Sequence, residues 1–67
     1  MNTTTYTIAA IHCMHCTHTI ETELRELAGV ELVRTDLAAK QVTVTFGPPA
    51  DDGKIRALLA EIEYPAA

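Results

Sequence analysis

The chain has no tryptophan, a single phenylalanine and only two tyrosines in 67 residues. Five Lys and Arg stand against nine Asp and Glu, for a net charge of −4. A chain so poor in aromatic and basic side chains lacks both the stacking platform and the positive stripe that nucleic acid needs. No apolar run approaches the roughly 18 residues that span a bilayer. The polar start Met1-Asn2-Thr3-Thr4-Thr5 has neither the basic nor the apolar region of a signal peptide. Nucleic-acid binding and membrane insertion are therefore not expected. Cysteine is also scarce. The two present, Cys13 and Cys16, close too short a loop to staple a fold, and there is no further cysteine for a disulfide scaffold. That usage fits a reducing, cytoplasmic setting, and the length fits one domain over residues 1–67. A domain of this size buries only about 60% of the surface its unfolded chain exposes, so its margin of stability is thin.

What the chain does have is concentrated at Ile11-His12-Cys13-Met14-His15-Cys16. Both thiols stand at Cys-x-x-Cys spacing, and His12, His15 and His18 lie within a few residues of them. This spacing lets two thiolates converge on one soft metal ion. A helix starting here would favour the thiolate, the metal-binding form, through its free N–H groups and its dipole. Cu(I) accepts two thiolates as a complete site, whereas Zn(II) normally takes four N, S or O donors.

The rest of the pattern alternates strands and helices. Tyr6-Thr7-Ile8-Ala9-Ala10 has period two and reads as a strand. Ile20, Leu24 and Leu27 recur at helical spacing, with Glu21 placed to pair with Arg25, and Gly29 is positioned to end that helix in a left-handed cap. Residues 30–36 read as a strand in which Leu32-Val33 breaks the alternation, as a β-bulge would. Residues 37–40 make a tight connection, and Gln41 to Phe46 alternates with Val42, Val44 and Phe46 inward. After Gly47-Pro48-Pro49, Asp51 or Asp52 can cap a second helix with Ile55, Leu58, Leu59 and Ile62 on its apolar side. No internal repeat or linker is visible. The expected fold is α+β, a ferredoxin-like βαββα(β) sandwich with two helices on one face of an antiparallel sheet. Only Pro65-Ala66-Ala67 follow Tyr64, so the fourth strand is expected to be truncated or absent.

With its Cys pair, Ile20-Glu21, Leu24, Gly29-Val30, Asp36-Leu37, Val42-Thr43-Val44, Ile62 and Tyr64, the chain resembles the heavy-metal-associated domain family over nearly its whole length. That family includes bacterial copper chaperones and the N-terminal domains of metal-transporting P-type ATPases. The resemblance implies a surface metal loop carrying Cu(I), or less often Zn(II), Cd(II) or Hg(II), to a partner such as a P-type ATPase or its metal-binding domain. It implies Cys13 and Cys16 as ligands, Ile11 as the packing residue under the loop and Tyr64 as the aromatic that shields it. Ile11 stands where the family usually has Met; two further departures, His12 and Glu63, and one match, the His that bacterial copper chaperones often carry at the position of His15, bear on these roles. His12 replaces the usual Thr or Ser, at a position where related zinc-transporting domains place an acidic ligand, so His12 is a candidate third ligand for Zn(II). His15, between the cysteines, is a candidate modulator of the thiols or a ligand in a shared cluster. Glu63 replaces the usual Gly before Tyr64, and because a left-handed Glu costs roughly 1–2 kcal/mol, the second helix is expected to run on past that point. Met14 reads as an exposed contact for a partner and His18 as a solvated helix residue.

Three functions are compatible with these residues. The first is a Cu(I) chaperone exchanging copper by thiolate displacement, in which a metal-bridged homodimer could fill the open coordination positions. The second is a module for Zn(II), Cd(II) or Hg(II) that uses His12. The third is a dithiol redox protein, which the short chain and His12 in place of the usual Trp disfavour. No machinery for any other enzymatic activity is visible.

Overall fold

The computed structural model describes residues 2–66; Met1 and Ala67, at the ends of the expected polar start and tail, lie outside the described residues. The elements are β1 (Asn2–Thr7), α1 (Met14–Arg25), β2 (Val30–Asp36), β3 (Gln41–Phe46) and α2 (Asp52–Glu61). The sheet has three strands in the order β1-β3-β2, with both pairings antiparallel. The two helices pack on one face of it, as the expected sandwich requires. Among the described residues no strand follows α2.

β2 and β3 have the bounds their alternation suggests. Val42 and Val44 are fully buried and Phe46 nearly so, because every second residue of a half-buried strand faces the core. The break at Leu32-Val33 is a real register shift: Val30 opposes Phe46 and Leu32 opposes Thr45, leaving Glu31 unpaired. The extra residue turns Val33 inward and leaves Leu32 47% exposed. On the outer face, Thr3 bonds Thr45 at 3.2 Å and Thr5 bonds Thr43 at 3.0 Å, cross-strand hydroxyl pairs that tie β1 to β3.

β1 differs from the expected strand over residues 6–10. It begins at Asn2 and ends at Thr7, and Ala9 and Ala10 form a turn. Its threonines supply β propensity without an apolar alternation, so only Tyr6 marks its inner face. The Tyr6 hydroxyl donates to Asp52 at 2.7 Å, Arg56 pairs with the same carboxylate at 3.0 Å, and its guanidinium lies 5.2 Å from the Tyr6 ring centroid. Burial, followed by the Asp52 bond, pushes the Tyr6 phenol up to about 12. The cluster fastens the start of α2 to β1.

Two further departures concern the helix ends. α1 stops at Arg25, so Gly29 is not its cap. Gly29 lies in the turn before β2 with φ +99, and a Cβ there would stand 2.3 Å from the Gly47 carbonyl oxygen and 2.6 Å from the Ala50 nitrogen. Both the left-handed backbone and the contact with the β3–α2 loop require glycine. At the other helix, Asp51 is the N-cap and accepts from the Lys54 N–H at 2.7 Å. Contrary to the expectation that it runs on past Glu63, α2 ends at Glu61. Glu63 adopts φ +69, its N–H donates to the Ala60 carbonyl, and the Tyr64 N–H reaches back to Leu59 at 2.8 Å. This is a Schellman closure with glutamate where glycine is usual.

Candidate metal centre

The loop from Ile8 to Cys13 is irregular but anchored. Ile8 and Ile11 are fully buried in the core, worth about 1.5–3 kcal/mol each, and the Ile8 N–H donates to the Lys40 carbonyl at 2.8 Å. Ile11 thus supplies the packing under the loop. Cys13 follows as the N-cap of α1 in extended conformation, and its carbonyl accepts from the Cys16 and Thr17 N–H groups at 3.1 and 3.4 Å. No side chain caps this helix and no acidic residue lies in its first turn. The positive end of the helix is therefore left to the thiols.

Cys13 and Cys16 are both free thiols, with their sulfurs 3.3 Å apart. They differ in access: Cys13 is half-buried, whereas Cys16, one turn into the helix, is buried. An entirely exposed loop is thus not what the fold provides. The Cys16 thiol is pushed down to about 6, first by the Tyr64 hydroxyl beside it, then by the backbone of His12 and by Cys13. The same contact raises the Tyr64 phenol, as expected of a hydroxyl that donates toward a thiolate. The Schellman closure at Glu63 delivers Tyr64 to this position. An ion held by both thiols would spread them, since two sulfurs about 2.3 Å from a tetrahedral metal stand roughly 3.8 Å apart, and a linear arrangement needs more. The half-exposed Cys13, at a helix end, is the one free to move.

His12 joins this pair. One ring nitrogen of His12 and the two sulfurs all lie within 4.8 Å of one another. Its Nδ1 is 2.8 Å from the Ala10 carbonyl and 3.9 Å from the Cys16 sulfur. A carbonyl can only accept, so Nδ1 carries the proton and the neutral ring keeps its lone pair on Nε2. A backbone carbonyl holding the N–H is the usual companion of a metal-binding histidine. His15 is exposed and stands outside the group, on the outer side of α1, as does His18. Met14 is 76% exposed beside the thiols. The one contributor that sequence reasoning missed is the Ala10 carbonyl, a backbone group with no signal in the side-chain pattern.

The family model described as "Heavy-metal-associated domain" matches residues 5–65. Among solved structures, the chain is similar to apo-CopP from Helicobacter pylori, at 27% identity and TM-score 0.89, covering 98% of this chain and 100% of that one. It is similar at 22% identity and TM-score 0.90 to a chain of the Atx1–Cu(I)–Ccc2a complex, covering 100% and 93%. It also resembles a copper-binding domain of HMA7, a P-type ATPase, at 19% identity and TM-score 0.93, covering 100% and 92%. The comparison with curated proteins finds no match.

Proposed function

The chain belongs to the heavy-metal-associated domain family, whose model spans residues 5–65, and we propose that it is a carrier of Cu(I). Cys13 and Cys16 hold the ion, and a cytoplasmic domain of a metal-transporting P-type ATPase, or a similar target, receives it. The observation that carries this reading is the pair of free thiols 3.3 Å apart at an uncapped helix start, with no third cysteine in the chain. Two soft donors complete a site for Cu(I) and leave one for Zn(II) unfinished. The likeness to a copper-binding domain of a P-type ATPase and to a chain of a Cu(I) complex supports both the cargo and the kind of partner. Among the described residues no helix is long and apolar enough to cross a membrane.

In this reading a partner thiolate adds to the bound ion on the side of the half-exposed Cys13. A three-coordinate intermediate forms and Cys13 departs as thiolate; a second partner thiolate then adds and Cys16 departs in the same way. Each step exchanges one thiolate for another, so no electron changes hands and no substrate bond is cleaved. The domain is a binding module rather than a catalyst. Met14, 76% exposed at the mouth of the site, supplies apolar contact to the partner or to a second copy bridged through the metal. The test is competition with a Cu(I) chelator: the double variant Cys13→Ser/Cys16→Ser should lose tight Cu(I) binding while keeping its fold, and full retention of affinity would refute the assignment.

A second reading has a specific observation behind it. His12 lies within 4.8 Å of both sulfurs, so a three-donor set for Zn(II), Cd(II) or Hg(II) is available once the ring turns Nε2 toward the pair or releases Ala10.

A further inference from the structure

We propose that His15 and His18 form a second cation site on the outer face of α1, separate from the thiol pair, that accepts a borderline divalent ion such as Zn(II). This site does not depend on what the thiols carry. The two histidines lie three residues apart within a single helix, Met14–Arg25, where side chains at that spacing are neighbours with Cβ atoms about 5–6 Å apart. Both residues are exposed. Among the described residues neither ring has a hydrogen-bond partner, in contrast to His12, which is held by Ala10. Two free imidazoles on one turn can converge on an ion without any movement of the backbone.

The surrounding chemistry selects the class of ion. The first turn of α1 has no carboxylate, and Glu21, one turn past His18, is engaged by Arg25 and Thr35, so hard oxygen-seeking ions such as Mg(II) and Ca(II) are poorly served. Imidazole nitrogen suits Zn(II), Ni(II) and Cu(II), and Met14, 76% exposed and one turn before His18, places a thioether alongside. Opposing this, the positive end of the helix weakens a cation about two- to fivefold. The pair is therefore a weaker site than one built from thiolates, with open positions left to water. Its position one turn along the helix from Cys13 would make it a point where a divalent ion is held beside the carrier site without occupying it.

The test uses zinc chloride alone on the full chain carrying Cys13→Ser/Cys16→Ser, read by the ring resonances of the three histidines and by calorimetry. The His15 and His18 rings should shift together and saturate, while His12 stays in place. His15→Gln or His18→Gln in that background should weaken zinc by about tenfold or more, and His12→Gln should leave it unchanged. If the serine variant does not fold, the same titration on the intact protein loaded with stoichiometric Cu(I) gives the same readout. Shifts confined to His12, an unchanged affinity in His18→Gln, or a response that stays linear to about 1 mM zinc would overturn the proposal. Loss of zinc binding here with Cu(I) binding intact in the native chain would remove this site and leave the carrier reading standing.

Discussion

Glu63 occupies the left-handed cap position of α2 at φ +69, and its replacement by glycine should make the protein more stable. A non-glycine residue in that region costs roughly 1–2 kcal/mol, since its Cβ crowds the following carbonyl oxygen. Glycine removes that cost but adds freedom to the unfolded chain, worth about 0.4–1 kcal/mol in the opposite sense. The remainder is a gain of about 0.5–1 kcal/mol, and for a domain of this size about 4–8 °C of melting temperature accompanies each kcal/mol. Glu63→Gly should therefore melt about 2–8 °C higher in the reduced, metal-free state. The two closing bonds, Glu63 N–H to Ala60 and Tyr64 N–H to Leu59, are made by the backbone and survive the change, so Tyr64 should stay against Cys16. Glu63→Ala is the control: it removes the same carboxylate but keeps a Cβ, and should not raise the melting point. Thermal unfolding of the three proteins decides the matter. A glycine variant no more stable than the native chain, or an alanine variant equally stabilised, would refute the backbone argument.

Gly29→Ala should act in the opposite direction, because a Cβ at φ +99 meets backbone 2.3 Å away; a loss of at least about 2–3 kcal/mol is expected in urea unfolding, and a loss near zero would mean the turn can relax. Cys16 should titrate near 6 rather than at its ordinary 9.0, read from its Cβ resonance against pH, and Tyr64→Phe should move the midpoint upward. Because this folded value is depressed, the thiolate's contribution to stability is complete above about 9 and is lost as pH falls through about 6; a midpoint unmoved in the Phe variant would deny Tyr64 its role. His12→Ala should weaken Zn(II) about tenfold or more while leaving Cu(I) unchanged, measured by calorimetry with each metal, and equal zinc affinities would reduce His12 to a surface residue.

The parts of the fold visible in the sequence are those where burial imposes a period. Val42, Val44 and Phe46 mark β3, the slip at Leu32-Val33 marks its bulge, and Asp51 marks the start of α2. β1 was displaced because its residues before Tyr6 are Asn and Thr, which pair through backbone and hydroxyl groups and leave no apolar alternation. At Gly29 the glycine was legible but its use was not, since the clash it avoids is with the distant Gly47–Ala50 loop. The end of α2 was misplaced for an energetic reason. The 1–2 kcal/mol charged to a left-handed Glu is outweighed by closing the helix and seating Tyr64. At the site the thiols and Tyr64 were readable from spacing and resemblance. His12 was legible as a candidate third ligand, but what holds its ring near both sulfurs was not, because that is the Ala10 carbonyl, a backbone group.

In the proposed function two thiolates without further ligands select Cu(I). Equilibrium competition on the reduced native protein, with chelators matched in strength for Cu(I) and for Zn(II), tests it most directly. The protein should take Cu(I) from its chelator, bind Zn(II) far more weakly, and lose the copper with Cys13→Ser or Cys16→Ser. Zinc held as tightly as copper, or copper retained without the thiols, would contradict the proposed function.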